Sequence, residues 1–255
     1  MTKYSYQIEN AVALRGSISV GELSDLLGVS DQTIRRVIKP LVDAGKVRKV
    51  HGAIVAVSKP VDAPYHARMQ LMRQEKTAIA TMVASMVQDG ESLAIDTGST
   101  SGFIAQALQI RRNLTVVTNS TFVASTLATV PGNKVYMAGS QLRDHDGAAY
   151  DRQAFATIER IRVGRCILSA SAVDPRRGFL AFEQCEADIA DAMQAIAEGT
   201  IMAVDHSKFT EGRRPPSAFQ VQLAPDSQIV TDRPPAADFT EVLAPFRLVS
   251  CQTGA

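Results

Sequence analysis

Two helix starts in close succession, at Ser19 and Ser30, with Gly28 between them, leave the stretch from Ser19 to Val57 few ways to fold. Ser19-Val20-Gly21-Glu22 reads as a capping box: the Ser19 hydroxyl accepts the Glu22 amide, and the Glu22 carboxylate accepts the Ser19 amide. Gly28-Val29-Ser30 makes a tight turn. Ser30 caps a second helix, and Asp31 sits in its first turn, where the helix dipole favours an anion. Ile34, Val37, Ile38 and Leu41 form one apolar stripe, while Arg35, Arg36 and Lys39 project away from it. Two short helices joined by a turn, the second with exposed arginines, make a helix-turn-helix whose second helix enters the major groove of DNA. Gly45 is expected to end that helix in the left-handed conformation. Lys46 to Val57 then reads as a short basic hairpin, a wing laid along phosphates. Upstream, Tyr4 to Leu14 supplies a packing helix through Ile8, Val12 and Leu14. Pro40 removes one backbone hydrogen bond and predicts a kink past the base-reading turn.

On this reading Gln32, Thr33, Arg35 and Arg36 meet bases, and Lys46, Arg48, Lys49 and His51 grip the backbone. Ser30 and Lys39 complete the expected DNA-binding set. The competing reading is an ordinary helical domain whose arginines form a solvated face. Cap, turn, stripe, basic face and basic wing, in that order, argue against it.

Charge distribution agrees. The chain has 255 residues, 45% of them hydrophobic, which suffices for two domains. Residues 1–57 hold eight Lys and Arg against five Asp and Glu, an excess of +3, and the remainder holds 19 against 21, or −2. A net charge of +1 excludes a bulk polyanion binder, whereas a basic head on a slightly acidic body suits specific DNA binding. No signal peptide is visible and no apolar run approaches the roughly 18 residues that span a membrane, so a cytoplasmic protein with no membrane partner is expected. Cys166, Cys185 and Cys251 are odd in number and lack CxxC spacing, which predicts reduced thiols rather than a disulfide framework or zinc site. The four histidines are scattered, so no metal is expected. Gly98-Ser99-Thr100-Ser101-Gly102 lacks both the GxGxxG spacing and the lysine of a P-loop, so no nucleotide cofactor is expected either.

Beyond the head (1–57), Ser58 to Pro64 has two prolines and no periodicity, and the linker is drawn over 58–74 with a second domain at 75–255. There, helices and apolar strands alternate. Helices are predicted at Lys76–Val87, Ser99–Leu108, Ser120–Leu127, 154–161 and 186–197. Strands are predicted at 92–96, 114–118, 135–138, 166–170, 200–204, 228–231 and 246–250. The fold class is therefore α/β, a parallel sheet covered on both faces behind a winged helix-turn-helix. Ligands of such sheets bind outside the carboxyl ends of the strands. Polar clusters fall at those ends: Asp96 to Ser101, Thr118-Asn119-Ser120, Gly139-Ser140, Ser169 to Ser171 with Asp174, and Asp205 to Lys208. Each alone reads as a cap or turn. Together they make a polar rim with glycine-backed anion sites, suited to a phosphorylated or otherwise anionic sugar.

These residues carry a family resemblance. Glu22 to Ser30, Thr33-Ile34-Arg35-Arg36, Gly45, Val50, His51 and Gly52 resemble the winged helix-turn-helix of DeoR-type bacterial transcriptional regulators. Asp96 to Ser101, Thr118 to Ser120, Ser169 to Ser171 with Asp174 and Gly178, Glu186, Asp205 to Phe209 and Val230 to Asp232 resemble the effector domain of that family. The resemblance implies a fold similar to ribose-5-phosphate isomerase and the sensing of a phosphorylated intermediate of sugar catabolism. By motif match Thr97, Gly98, Ser99 and Thr100 would hold the phosphate, with Asn119 and Lys208 beside it, and Asp96, Asp174 and Glu186 would face sugar hydroxyls. Ser101, Thr118, Ser120, Gly139 and Asp205 complete the expected effector set. The chain departs from the family pattern at Val37 and Ala53, and at Ser140, Asp151 and Gly164, the last three expected near the pocket. Arg143 and Arg152 offer positive charge for the effector, but a solvated helix face is the role read for each. An isomerase using Glu183 or Glu186 with Lys208 is the alternative; a DNA-binding head has no role in one, so no enzymatic activity is expected. The expected partners are operator DNA, an anionic sugar, and further copies of the chain in a homodimer or homotetramer.

Overall fold

A computed structural model describes residues 3–15, 17–44, 46–50, 53–56, 65–209 and 219–251. The chain divides into two compact units, Met1–Arg68 and Met69–Ala255.

The first unit runs α1 (Lys3–Arg15), β1 (Ser17–Ser19), α2 (Val20–Leu27), α3 (Asp31–Asp43), β2 (Val47–Val50), β3 (Ala53–Ala56) and α4 (Tyr65–Arg68). The capping box at Ser19 is made: the Glu22 amide donates to Ser19 Oγ over 3.1 Å and the Ser19 amide to Glu22 Oε2 over 2.8 Å. Gly28 takes φ 63°, the left-handed cap that turns α2 towards α3. Ile34, Val37, Ile38 and Leu41 are all buried, against Ile8 and Val12 of α1, Leu23 of α2 and Ile54 of β3. The stripe read from the sequence is the core of this unit. α3 continues through Pro40 to Asp43 and is capped by Ala44, whose amide donates to the Pro40 carbonyl over 3.0 Å. Gly45 lies outside the described residues.

The wing is larger than the hairpin read from the sequence. β3 pairs antiparallel with β2 and also with β1, which places Ile18 opposite Ile54. The stretch drawn as linker contains α4, whose His66 accepts or donates a 3.1 Å hydrogen bond with Tyr6 of α1, and the start of the next helix at Arg73. Ser58 to Pro64 lie outside the described residues.

The second unit runs α5 (Arg73–Met86), β4 (Ser92–Ile95), α6 (Ser99–Ala107), β5 (Thr115–Thr118), α7 (Thr121–Ala128), β6 (Lys134–Met137), α8 (Arg152–Ile158), β7 (Val163–Ser169), β8 (Ala172–Asp174), β9 (Gly178–Ala181), α9 (Gln184–Ala195), β10 (Ala197–Ala203), β11 (Phe219–Gln220), β12 (Gln228–Thr231), α10 (Thr240–Leu243) and β13 (Arg247–Ser250). Seven strands form one parallel sheet in the order β13-β12-β10-β7-β4-β5-β6. Alternate residues go to opposite faces. Leu93, Ile95 and Ile167 pack with Ile79 of α5, Ile104 of α6 and Leu127 of α7, while Ala94, Cys166 and Leu168 pack with Ile158 of α8 and Met193 of α9. Both faces are covered, as continuous apolar strands require.

From β4 the chain steps outward through β5 to β6, then returns to place β7 on the other side of β4. The order reverses between β4 and β7, and such a switch point opens a crevice at the carboxyl ends of the two strands. A small antiparallel sheet, β11-β9-β8, was absent from the sequence reading.

Candidate DNA-binding surface and effector site

On α3 the side chains opposite the buried stripe are Gln32, Arg35, Arg36 and Lys39, all exposed. Ser30 caps the helix, accepting from the Thr33 amide over 3.3 Å, and the two hydroxyls lie 3.0 Å apart. Arg48 and Lys49 are exposed on β2. Arg35, Lys39 and Lys49 line one hollow of about 230 Å³ with Asp43, so cations of the helix and of the wing share a surface. The Lys46 ammonium, partly exposed, sits 3.0 Å from Glu9 Oε1 of α1. His51 lies outside the described residues.

The crevice between β4 and β7 is built on Asp96. This carboxyl is buried; Oδ1 accepts from the Ser101 hydroxyl, and Oδ2 accepts from the Ser169 amide over 2.8 Å and the Ser169 hydroxyl over 3.4 Å. Burial pushes its pKa up to about 7, with the nearby Glu186 charge acting in the same direction and the Ser101 and Ser169 hydrogen bonds opposing. Gly98 then turns the chain into α6 at φ 144°, and a Cβ there would lie 2.5 Å from Ser169 Oγ. Glycine is what lets β7 close on this turn. Ser99, Thr100 and Ser101, the first turn of α6, are all buried, and Thr97 Oγ1 is buried with no hydrogen-bond partner among the described residues. The free amides of a helix start and unused hydroxyl capacity suit an anion.

The neighbouring β5 ends in Thr118, Asn119 and Ser120, all fully buried. Ser120 caps α7, and Asn119 Nδ2 donates to the Ala149 carbonyl over 3.1 Å, leaving its Oδ1 buried without a partner among the described residues. Gly139 follows β6 at φ 103°. Asp151 caps α8 and also accepts from the Gln141 amide at 2.7 Å and the Ser140 amide and hydroxyl at 2.9 and 2.8 Å. Those bonds hold its carboxyl well below the usual carboxylate range.

Three readings are corrected. Arg143 lies in the loop after β6 rather than on a solvated helix face, and its side chain is 16% exposed. It binds Asp146, Glu186 (2.7 Å), Glu183 (3.2 Å) and the Tyr150 hydroxyl (2.7 Å), and the guanidinium stacks over the Tyr150 ring. Glu186 is thereby engaged: Oε1 accepts from Arg143 and Oε2 from the amides of Phe182 and Glu183. Gly164 is not near the crevice but at the amino end of β7, its amide donating to Ser92 Oγ over 3.0 Å. Asp174 closes the β8–β9 hairpin rather than ending a strand of the large sheet, its Oδ1 accepting from the amides of Arg176 and Arg177 at 2.9 Å. Asp205 is fully buried and caps the turn His206–Lys208, where Lys208 is half-buried. Arg152 is exposed at the start of α8.

One residue escaped the sequence reading altogether. Lys76 of α5 is 3% exposed and its ammonium donates to Ser99 Oγ over 2.9 Å. The signal was present: Lys76 is in helical register with Ile79, Ala80 and Val83, on the buried stripe.

A further hollow of about 850 Å³ lies at the amino ends of β4, β7 and β10, beside Glu91, Arg162, Arg165 and Glu198. Ligands of parallel sheets bind at the other edge. Among the described residues no three His, Cys, Asp or Glu side chains gather to hold a metal, and no helix is long and apolar enough to cross a membrane.

Comparison with known families decides what kind of protein carries these two surfaces. The DeoR-like helix-turn-helix domain matches residues 5–60, and the DeoR C terminal sensor domain matches residues 72–233. The chain belongs to the DeoR family. It is a DNA-binding transcriptional regulator with a sensor domain. Its relatives include the glycerol-3-phosphate regulon repressor of Escherichia coli (strain K12), 32% identical over 91% of each chain. The transcriptional repressor AccR of Agrobacterium fabrum is 32% identical over 76% of each. The regulator IolR of Bacillus subtilis is 24% identical over 80% of this DeoR-family chain and 81% of its own. Among solved structures, ribose 5-phosphate isomerase A of Methanocaldococcus jannaschii superposes on 53% of this chain and 54% of its own, at 14% identity and a TM-score of 0.40.

Proposed function

We propose that this DeoR-family protein represses a carbohydrate-catabolism operon and releases it when a phosphorylated or otherwise anionic sugar occupies the crevice at Asp96–Ser101. The observation that carries this reading is the construction of the switch point. A buried carboxyl, the start of α6 and hydroxyls of Thr97, Ser99 and Thr100 converge where a parallel sheet receives its ligand. Helix amides and hydroxyls supply the anion subsite, with Gly98, Asn119 and Lys208 around it. Asp96 and the rim residues Ser101, Thr118, Ser120, Gly139, Asp174, Glu186 and Asp205 shape the pocket.

On DNA, Gln32, Thr33, Arg35 and Arg36 read bases, while Lys39, Arg48, Lys49 and Ser30 hold phosphates, joined by His51 and, when Glu9 releases it, Lys46. One head of this size buries too little surface for tight specific binding, so a homodimer or homotetramer spans repeated half-sites in cytoplasmic DNA. Sugar binding selects between arrangements that space the heads differently. Isomerisation is set aside, since it needs a carboxylate at liberty to take a proton. Glu183 and Glu186 are both committed to Arg143.

Footprinting of the chain's own promoter DNA, with and without a panel of phosphorylated and acidic sugars, tests the proposal. Protection of a defined site that one sugar abolishes is expected. Retention on random duplex equal to that on the promoter would overturn it.

A further inference from the structure

Of the exposed side chains in the first two turns of α3, Gln32, Arg35 and Arg36 suit a polyanion and Asp31 does not. A carboxylate brought among phosphates is repelled, and the loss is recovered only where it meets a hydrogen-bond donor. The helix start does not need Asp31 as its cap, because Ser30 Oγ already accepts from the Thr33 amide over 3.3 Å. Arg35 follows at i+4, the spacing and order at which an acid and an arginine pair best on a helix. Among the described residues neither side chain has a hydrogen bond or an ion pair. Acid and guanidinium stand one turn apart on α3, each with its hydrogen-bonding capacity unspent.

The major groove offers two kinds of donor, the exocyclic amines of cytosine and adenine, since guanine and thymine present only acceptors there. Adenine sets its amine beside the N7 acceptor, which repels a carboxylate and suits an amide side chain instead. Cytosine presents its N4 amine with no acceptor of its own. Its edge is therefore the one that matches a carboxylate. The first residues of a recognition helix are those that reach base edges. Side chains at i and i+4 start about 5–6 Å apart, and successive base pairs stack about 3.4 Å apart. Asp31 and Arg35 can thus address the same base pair or neighbouring ones.

We propose that Asp31 is a specificity-determining residue that accepts from the N4 amine of a cytosine, at or beside the base pair whose guanine Arg35 takes. The inference rests on the reading of α3 as the base-reading helix. Attraction and exclusion act together: the carboxylate takes the cytosine amine, and it is repelled by O6 and N7 of guanine and by O4 of thymine. On any other duplex the acid meets phosphates and acceptors without a donor in return. Asp31 therefore lowers non-specific affinity and widens the gap between operator and bulk DNA.

The test uses the full-length protein on its footprinted promoter site, with each base pair replaced in turn and binding measured by competition. For the wild type, one cytosine is expected at which any replacement costs at least about fivefold in affinity. Asp31→Ala is expected to level the four bases at that position and to leave preference elsewhere intact. Asp31→Asn keeps the shape but exchanges the carboxylate for an amide, and is expected to move the preference there to adenine. A duplex whose cytosine lacks the exocyclic amine should weaken the wild type and leave Asp31→Ala unaffected. An acid that served only the helix dipole would, on removal, weaken binding to every sequence alike. That uniform loss, or an Asp31→Ala base profile identical to the wild type's, would overturn the proposal. A wild type with base preferences but no cytosine requirement would overturn it too, leaving Arg35 as a reader. Equal binding of the wild type to promoter and random duplex would sink the operator reading itself, and this inference with it.

Discussion

The Ser169 amide donates to the Asp96 carboxyl over 2.8 Å, so a single buried acid ties the carboxyl end of β7 to that of β4. Its protonation is linked to folding. The folded pKa of about 7 stands above the ordinary value of 3.8, so between them the native state holds a proton that the unfolded chain has lost. Stability from this group is full below the unfolded value and is lost as pH rises through the folded one. The thermal midpoint should therefore decline between about pH 4 and about pH 7 and level off above, and Asp96→Asn should flatten that decline. Superimposable pH profiles for the two proteins would count against a raised Asp96 pKa.

Gly98→Ala tests how closely β7 approaches the α6 turn. The new Cβ would meet Ser169 Oγ at 2.5 Å on a backbone at φ 144°. Strain of this kind costs on the order of 1–3 kcal/mol, read as a lower denaturant midpoint at unchanged slope. Adding Ser169→Ala removes the clash but not the backbone strain, so it should restore only part of the loss.

Arg143 holds Asp146, Glu183, Glu186 and Tyr150 together at the rim of the crevice. Arg143→Met would leave its carboxylates without their cation and should cost about 3 kcal/mol in urea unfolding. Arg143→Lys restores a charge but not the planar fork, so it should fall between the two. Equal stability of all three would show that the cluster is a solvated one.

The contrast between Arg143 and Arg35 marks where sequence stops being informative. Caps and stripes are local: Ser19 with Glu22, Ser30 with Thr33, and Ile34 to Leu41 lie within a turn or two of one another, so their physics is written in adjacent letters. Strand alternation is local too, which is why the parallel sheet and the polar turn at Asp96 were legible. The small sheet was not, because its pairing of Phe219 with Ala181 joins distant residues through a strand of two. Arg143 and Asp174 were misread for the same reason. An arginine's surroundings depend on which loop folds over it, and Asp174 at a strand end looks identical whether that strand belongs to the large sheet or to a small hairpin. Lys76 could have been found, since an ammonium at an apolar position of a helical stripe breaks the local pattern.

Arg35 stands exposed on α3, in the same hollow as Lys39 and Lys49. If it makes a bidentate contact with a guanine, Arg35→Ala should lose about 1–3 kcal/mol at that base pair and relax preference there alone. Lys49→Ala, on the wing, should instead weaken binding to every sequence about equally and lower the salt slope by roughly one counterion. The pair of variants separates reading from gripping. Competition binding against single-base operator variants at two salt concentrations measures both quantities at once. An Arg35→Ala protein with unchanged base preference, or a Lys49→Ala protein with altered preference and unchanged salt slope, would reverse the roles given to helix and wing.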